Sequence, residues 1–402
     1  MSPEDPAIVR RNILLILLLL TLATVVKIAW AAQSLGTTDT VRFFHFGEEL
    51  LKHPMAELYA TDTRLNHTVA VSGFIKLLTG LTAGNGAAFV LWLRLPGIIA
   101  DIAIVVELLR QRRALGLGWG WLALAAASPL HILICGFHGN LDGVVAAGIF
   151  FAFSAAVSQR PLLSGLFLGL ACHIKISPVL FAPALAAYWL SRGQAGRFCL
   201  SFGLSAGAML AMGWSVAGVD FAKHVLSYGS IWGNWGIGEA LVALGYSIPQ
   251  IPFKGYTDPL AAVLAPTLKA IIVALAIALA WRGRRGDARA LFRTGAVTAL
   301  IFFALTPGFG HQYLVWWFPL VLVAFPRWAG LLTTAASILV FATFSAGSKE
   351  AFPWHLVEPK LPAPGWVMGI SLATWGMFAV AAATTLVITW RPLPQPSRIR
   401  GE

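Results

Sequence analysis

The sequence predicts an all-α membrane protein that crosses a bilayer about twelve times. Three observations predict it. Of 402 residues, 58% are hydrophobic and only 11% are charged, with a mean hydropathy of +0.75; no soluble domain can bury that much apolar surface. The apolar residues gather in long runs. The charges are sorted by side. Seventeen arginines and no lysine fall in one alternating set of loops. All nine histidines (His45, His53, His67, His131, His138, His173, His224, His311 and His355) lie in the other set or within about two helical turns of it.

The apolar runs lie near 12–32, 87–108, 116–135, 143–158, 162–173, 177–190, 197–217, 259–281, 290–305, 312–325, 329–346 and 367–390. A perpendicular helix needs about 20 residues to cross the hydrocarbon, and several of these runs are shorter. The first follows Arg10 and Arg11 with no small-residue cleavage site after it, and reads as a retained signal anchor. The shortest pair, 162–173 and 177–190, is joined by His173-Ile174-Lys175-Ile176-Ser177-Pro178. A lysine and a proline between two half-length helices predict a break lining a polar cavity; the competing reading is one long tilted helix.

The arginines arbitrate. With the break counted as a turn, one side holds Arg10, Arg11, Arg110, Arg112, Arg113, Arg160, Arg192, Arg197, the run from Arg282 to Arg293, Arg327 and three tail arginines. A single crossing over 162–190 would move the 282–293 cluster to the other side. The positive-inside rule favours the break and places both termini in the cytoplasm of a plasma membrane protein. The net charge of +12 therefore speaks of membrane orientation, and no nucleic-acid partner is expected. Cys135, Cys172 and Cys199 lie in apolar runs, an odd number without metal-ligand spacing, and read as packing residues.

Three outer segments are long. Segment 33–86 carries Thr38-Asp39-Thr40 and two interfacial helices; in the second, near 67–82, Val71, Phe74, Ile75 and Leu78 recur at helical spacing. Segment 218–258 is rich in aromatics and glycine, and segment 347–365 carries Lys349, Glu350, His355, Glu358 and Lys360. No internal repeat is present. Residues 1–390 read as one membrane domain and 391–402 as a disordered cytoplasmic tail.

Few residues in such a chain can carry chemistry. Asp39, just beyond the first crossing, suits a general base for a hydroxyl near the bilayer surface; Thr38 or Asp39 also fits a helix N-cap. His138-Gly139-Asn140-Leu141-Asp142 is a tight polar loop whose His138, Asn140 and Asp142 can reach one spot, or whose Asn140 or Asp142 can cap the next helix. Arg94 and Asp101 share a face of the second crossing, either as functional charges or as an ion link to another helix. Lys175 suits an anion such as a phosphate, or simply snorkels to the interface. Gly308-Phe309-Gly310-His311-Gln312-Tyr313 offers His311, Gln312 and Tyr313 to sugar hydroxyls or a phosphate, while Trp316 and Trp317 read as interfacial belt residues. No close His-Glu pairing predicts a metal site.

Together these features resemble the GT-C superfamily of integral-membrane glycosyltransferases, and within it the bacterial polyprenyl-phosphate-mannose-dependent mannosyltransferases of glycosyltransferase family 87. The resemblance rests on Asp39, on Arg94 and Asp101, on the His138–Asp142 loop, on Gly165-Leu166-Phe167-Leu168-Gly169-Leu170-Ala171 leading to Lys175 and Pro178, and on Gln312-Tyr313. The stretch 131–190 is its specific part. Asn66-His67-Thr68-Val69-Ala70 departs from it, lacking the proline that members often carry there.

The resemblance implies a GT-C-like fold with its active site on the outer face. It implies a hexose, mannose by this pattern, moved from a polyprenyl-phosphate donor to a lipid-linked or glycan acceptor among membrane lipids. No cofactor is implied. Asp39 takes the part of base, with Asp142 and His138 as catalytic partners. Asn140, Lys175, Arg94, His311, Gln312 and Tyr313 are the expected substrate-binding residues. Two other classes compete. A twelve-helix secondary transporter or lipid flippase would show two related halves and an acid deep in a span, where only Asp101 is placed. An envelope polysaccharide polymerase or ligase would show several outer arginines, where Arg42 and Arg64 are the main ones.

Overall fold

The computed structural model describes residues 4–62, 65, 67–226, 235–246, 259–348, 352–353, 356–358 and 363–390. It is 83% helix, with no strand among the described residues. The helices are α1 (Pro6–Gln33), α2 (Thr38–Lys52), α3 (Met55–Thr61), α4 (Val69–Leu81), α5 (Gly86–Arg110), α6 (Arg112–Leu115), α7 (Trp119–Ala126) and α8 (Pro129–His131). A π-helical turn, Ile132–His138, follows. Then come α9 (Asp142–Val157), α10 (Pro161–Cys172), a 3₁₀ turn (Ser177–Phe181), α11 (Ala182–Leu190), α12 (Ala195–Phe221), α13 (Gly236–Ala243) and α14 (Pro259–Gly283). The last are α15 (Ala288–Leu305), a 3₁₀ turn (His311–Val315), α16 (Phe318–Ala324), α17 (Pro326–Gly347) and α18 (Gly365–Trp390). The tail 391–402, His355, and the glycine- and aromatic-rich stretch before Trp235 lie outside the described residues.

Eight helices are long and apolar enough to cross a membrane: Pro6–Gln33, Gly86–Arg110, Trp119–His138, Ala195–Val225, Ala262–Gly283, Ala288–Leu305, Pro326–Gly347 and Gly365–Trp390. The other four apolar runs form the shorter helices Asp142–Val157, Pro161–Cys172, Ser177–Leu190 and His311–Ala324. The helix α1 wears its apolar surface outward: Leu14, Leu15, Leu18, Leu22 and Val25 are all exposed, the pattern of a helix facing lipid rather than water. Cys199 is also exposed, whereas Cys135 and Cys172 are buried packing residues.

The chain breaks where 162–190 contains its lysine and proline. Helix α10 ends at Cys172, and the chain resumes as a 3₁₀ turn at Ser177-Pro178. Two glycines one helical turn apart on α10 let it seat against α12. A Cβ on Gly165 would lie 2.5 Å from the Phe198 carbonyl oxygen, and one on Gly169 2.5 Å from Cβ of Ser205. Such small-residue contacts drive helix association in lipid, where no hydrophobic force separates apolar surfaces.

The main core gathers side chains from α1, α5, α7, α9 and α15 to α18. A second apolar cluster, including Phe43, Leu50, Tyr59, Ile75, Phe89, Leu93, Leu141, Cys172 and Met209, holds α2 to α4 against α5, α10 and α12. Gly47 brings α2 close to α4, since a Cβ there would collide with the Thr79 hydroxyl. The amphipathic segment read near 67–82 is α4, with Val71, Ile75 and Leu78 buried. The second cluster fixes the place of α2, and so of Asp39.

Candidate active site

Asp39 stands in the first turn of α2, and the cap of that helix is neither Thr38 nor Asp39. Thr37 is the N-cap, its hydroxyl accepting from the Asp39 N–H at 3.4 Å and donating to the His138 carbonyl at 3.0 Å. The entry to α2 is tied further to residues 356–358: Thr38 N–H donates to the Val357 carbonyl at 3.1 Å, and Val357 N–H to that of Gly36 at 2.8 Å. The Asp39 carboxylate is therefore free for other partners. Its Oδ2 lies 3.1 Å from Nε2 of His138 and accepts from Nδ2 of Asn140 at 3.3 Å. Its Oδ1 has no partner among the described residues, and its side chain is 26% exposed against 7% for His138.

The loop that meets Asp39 is shaped by its glycine and by the π turn before it. Gly139 has φ +83°, and a Cβ there would sit 2.0 Å from Cγ2 of Thr40, so only glycine fits. The Asn140 side-chain oxygen accepts from the Leu141 N–H at 2.6 Å. His138 stacks on Phe344 with centroids 5.7 Å apart, and its buried Nδ1 has no partner.

Asp142 does not cap α9; the cap position is Leu141, without a side-chain bond. The fully buried Asp142 carboxylate is held by Lys175 Nζ at 2.9 and 3.0 Å and by Trp316 Nε1, which donates at 2.9 Å. Lys175 Nζ also lies 3.9 Å from the centre of the Tyr313 ring, and Tyr313 stacks on Trp316 at 4.5 Å. A cation held by a carboxylate and two aromatic faces is ordered without water. The break that supplies Lys175 is anchored on both sides: His173 Nε2 donates to the Ser205 carbonyl at 2.8 Å, and the Thr68 hydroxyl donates to the His173 carbonyl. Trp316 and Trp317 are thus buried, not belt residues, because their indoles pack inside the bundle.

The two charges read on one face of α5 serve different partners. Arg94 is fully buried and donates to the carbonyls of Trp30, Ala31 and Ser34 at 3.1 to 3.2 Å. It thus satisfies the orphan carbonyls and the negative pole at the C-terminal end of α1. Its other nitrogens face Gly36 and Gly139, where any Cβ would crowd them. Asp101, two turns further along, is held by Lys27 of α1 and by Nδ1 of His131. Gly136 lies against the Lys27 backbone there. So α5 grips α1 and the π turn at two levels, and Arg94 stands behind the rim rather than on it.

The rim is electrostatically one unit. Burial alone would raise the Asp39 carboxyl. The hydrogen bond and charge of His138, then the charges of Arg42 and Lys175, outweigh it and hold the carboxyl well below the usual range. Burial and the nearby Lys175 charge push His67 down to about 4, against a smaller opposing pull from Asp39. His67 also packs its ring 4.9 Å from Phe43. His311 lies within electrostatic reach of His138, and both it and Gln312 are half-buried, with the Gln312 amide folded over Gly310.

Asp39, His138 and Asn140 form one contact set, and Asp142, Lys175, Tyr313 and Trp316 the other, with the peptide 138–142 bridging them. Sequence reasoning missed Trp316 as a carboxylate partner, His67 as a rim residue, and Arg42 as the exposed cation beside Asp39. The spacing of Arg42, three residues after Asp39, is the one local signal that finds any of them. Among the described residues, no three His, Cys, Asp or Glu side chains gather as metal ligands.

No curated protein and no solved structure matches the chain. A model of glycosyltransferase family 87 matches residues 68–307, a stretch that includes Arg94, His138, Asn140, Asp142 and Lys175 and stops short of Asp39 on one side and of His311 to Trp316 on the other. The match runs over more than half of an all-helical chain with eight helices able to span a bilayer, and the chain belongs to glycosyltransferase family 87.

Proposed function

We propose that this membrane glycosyltransferase moves a hexose, mannose by the pattern of its residues, from a polyprenyl-phosphate donor to a hydroxyl of a lipid-linked or glycan acceptor, with Asp39 as base. The observation that carries this reading is the Asp39 carboxylate: ionised, partly open, one oxygen held by His138 and Asn140 and the other free. The acceptor O–H hydrogen-bonds to that free oxygen. Its oxygen attacks the anomeric carbon as the bond from that carbon to the phosphate oxygen breaks, and the proton passes to Asp39. Direct displacement inverts the anomeric centre. A carboxylate held ionised so firmly is a weak base, so the proton leaves late, once attack has made the hydroxyl acidic.

The leaving polyprenyl phosphate gains one negative charge at the bridging oxygen. Lys175, ordered by Asp142 and the Tyr313 face, and the exposed Arg42 supply cations for it. Asn140, His311, Gln312 and Tyr313 would bind sugar hydroxyls or the phosphate. Four shorter apolar helices complete twelve crossings in this reading, with both termini in the cytoplasm and the rim on the outer face of a plasma membrane.

Proteoliposomes containing the purified protein, labelled polyprenyl-phosphate-mannose and candidate lipid acceptors test it. Transfer with inversion that disappears in Asp39→Asn is the expected result; full transfer by correctly folded Asp39→Asn would remove Asp39 as base. A reporter fused after Asp142 must report an extracytoplasmic position.

A further inference from the structure

Away from this rim, at the N-terminal end of α1, an open groove of about 320 Å³ is lined by Glu4, Pro6, Val9, Arg10, Ile13, Leu14 and Arg113. Its two halves differ in chemistry. One wall is Val9, Ile13 and Leu14, successive apolar positions along a helix whose outward face is apolar. The mouth holds Arg10 and Arg113, both exposed and with no ion pair or hydrogen-bonded side-chain partner among the described residues. The one acid of the groove is already taken: Glu4 pairs with Arg112, which is itself buried, lies 4.1 Å over the Trp119 ring and donates to the Leu117 carbonyl at 3.3 Å. Three arginines thus face one carboxylate, and the two at the mouth remain uncompensated.

We propose that this groove is a binding site for an anionic phospholipid, its phosphate between Arg10 and Arg113 and the start of an acyl chain along Ile13 and Leu14. Charge complementarity selects the occupant. A phosphodiester of net charge −1 neutralises the free arginines, whereas a zwitterionic headgroup brings its own ammonium against them. Free phosphate would satisfy the arginines and leave the apolar wall uncovered. The site lies outside the machinery of sugar transfer, so it stands or falls apart from that reading.

Native mass spectrometry of the full-length protein in detergent, titrated with phosphatidylglycerol and with phosphatidylcholine of the same chains, tests the assignment. Basic side chains near a charged bilayer surface each favour anionic lipid several-fold, so a preference of about tenfold or more is expected in the wild type. Arg10→Gln/Arg113→Gln should lose most of that preference, and Arg10→Lys/Arg113→Lys should keep it. Arg11 and Arg112 remain in both variants to hold the orientation, and Arg113→Gln alone serves if the double variant does not fold. Equal binding of the two lipids by wild type, an unchanged preference in the glutamine variants, or displacement of the lipid by millimolar inorganic phosphate would each overturn the proposal.

Discussion

Nε2 of His138 lies 3.1 Å from Oδ2 of Asp39, across 99 residues of sequence. The pair is asymmetric: His138 is nearly closed to solvent, while the Asp39 carboxylate stays open on one side. The imidazole orients and charges the carboxylate, and the carboxylate meets the acceptor. Replacing Asp39 by Asn should lower kcat by about 10²–10⁴-fold, the usual contribution of a positioned base. His138→Gln should cost less, because Asn140 still holds Oδ2. Initial rates in proteoliposomes with KM resolved from kcat check this; a His138 variant slower than the Asp39 variant would reverse the roles.

Lys175→Met would leave the fully buried Asp142 carboxylate with only the Trp316 N–H. Breaking a buried pair from one side costs about 3–5 kcal/mol. The double variant Lys175→Met/Asp142→Asn should recover much of the thermal stability in detergent but none of the transfer. If the double variant regained activity, the pair would be a structural clamp alone.

His67 titrates at about 4 in the folded protein against an ordinary value of 6.5. The unfolded chain therefore takes up a proton between these values that the folded chain refuses, and stability falls as pH drops through that window. The depressed Asp39 acts lower: its contribution is present above about 3.9 and fades as pH falls further. Melting temperatures from pH 7.5 to pH 4.5 should decline for wild type and decline less steeply for His67→Gln. Parallel curves would exclude His67 as a source of the acid sensitivity.

Lys27 and Asp101 are each about 1% exposed and tied to one another. Lys27→Met should destabilise by about 3–5 kcal/mol, whereas Lys27→Met/Asp101→Asn should be milder, since His131 can still hydrogen-bond the amide. Equilibrium unfolding in mixed micelles gives the comparison. An additive double variant would mean that the two charges are not coupled.

Much of this site was legible because its residues stand where an apolar chain has no other reason for them. A His, an Asn and an Asp in five residues between two membrane helices, or a lysine beside a proline between half-length runs, stand out against leucine and alanine. The structure brings Asp39, His138, Asn140, Asp142 and Lys175 together. What local pattern did not carry was pairing. Arg94 and Asp101 sit on one face of one helix, yet one caps α1 and the other joins Lys27 and His131, and only the packing of three helices decides that. The same holds for Trp316: a tryptophan near a helix end reads as an interfacial anchor until its N–H is seen on the Asp142 carboxylate. Thr37 took the cap that Thr38 or Asp39 fitted equally well, and that one-residue choice freed the Asp39 carboxylate.

The π turn at 132–138 has a bearing on how this chain tolerates change in length. A π turn carries one residue more than an α turn across the same rise. Deleting any one residue from 132 to 137 would let the segment relax to an ordinary α-helix, and every side chain beyond would swing by about 100°. His138 would leave Asp39, and Asp142 would leave Lys175, with no polar residue altered. Point substitutions in this segment are tests of packing; a single deletion is a test of phase, and for this enzyme phase is the harsher constraint.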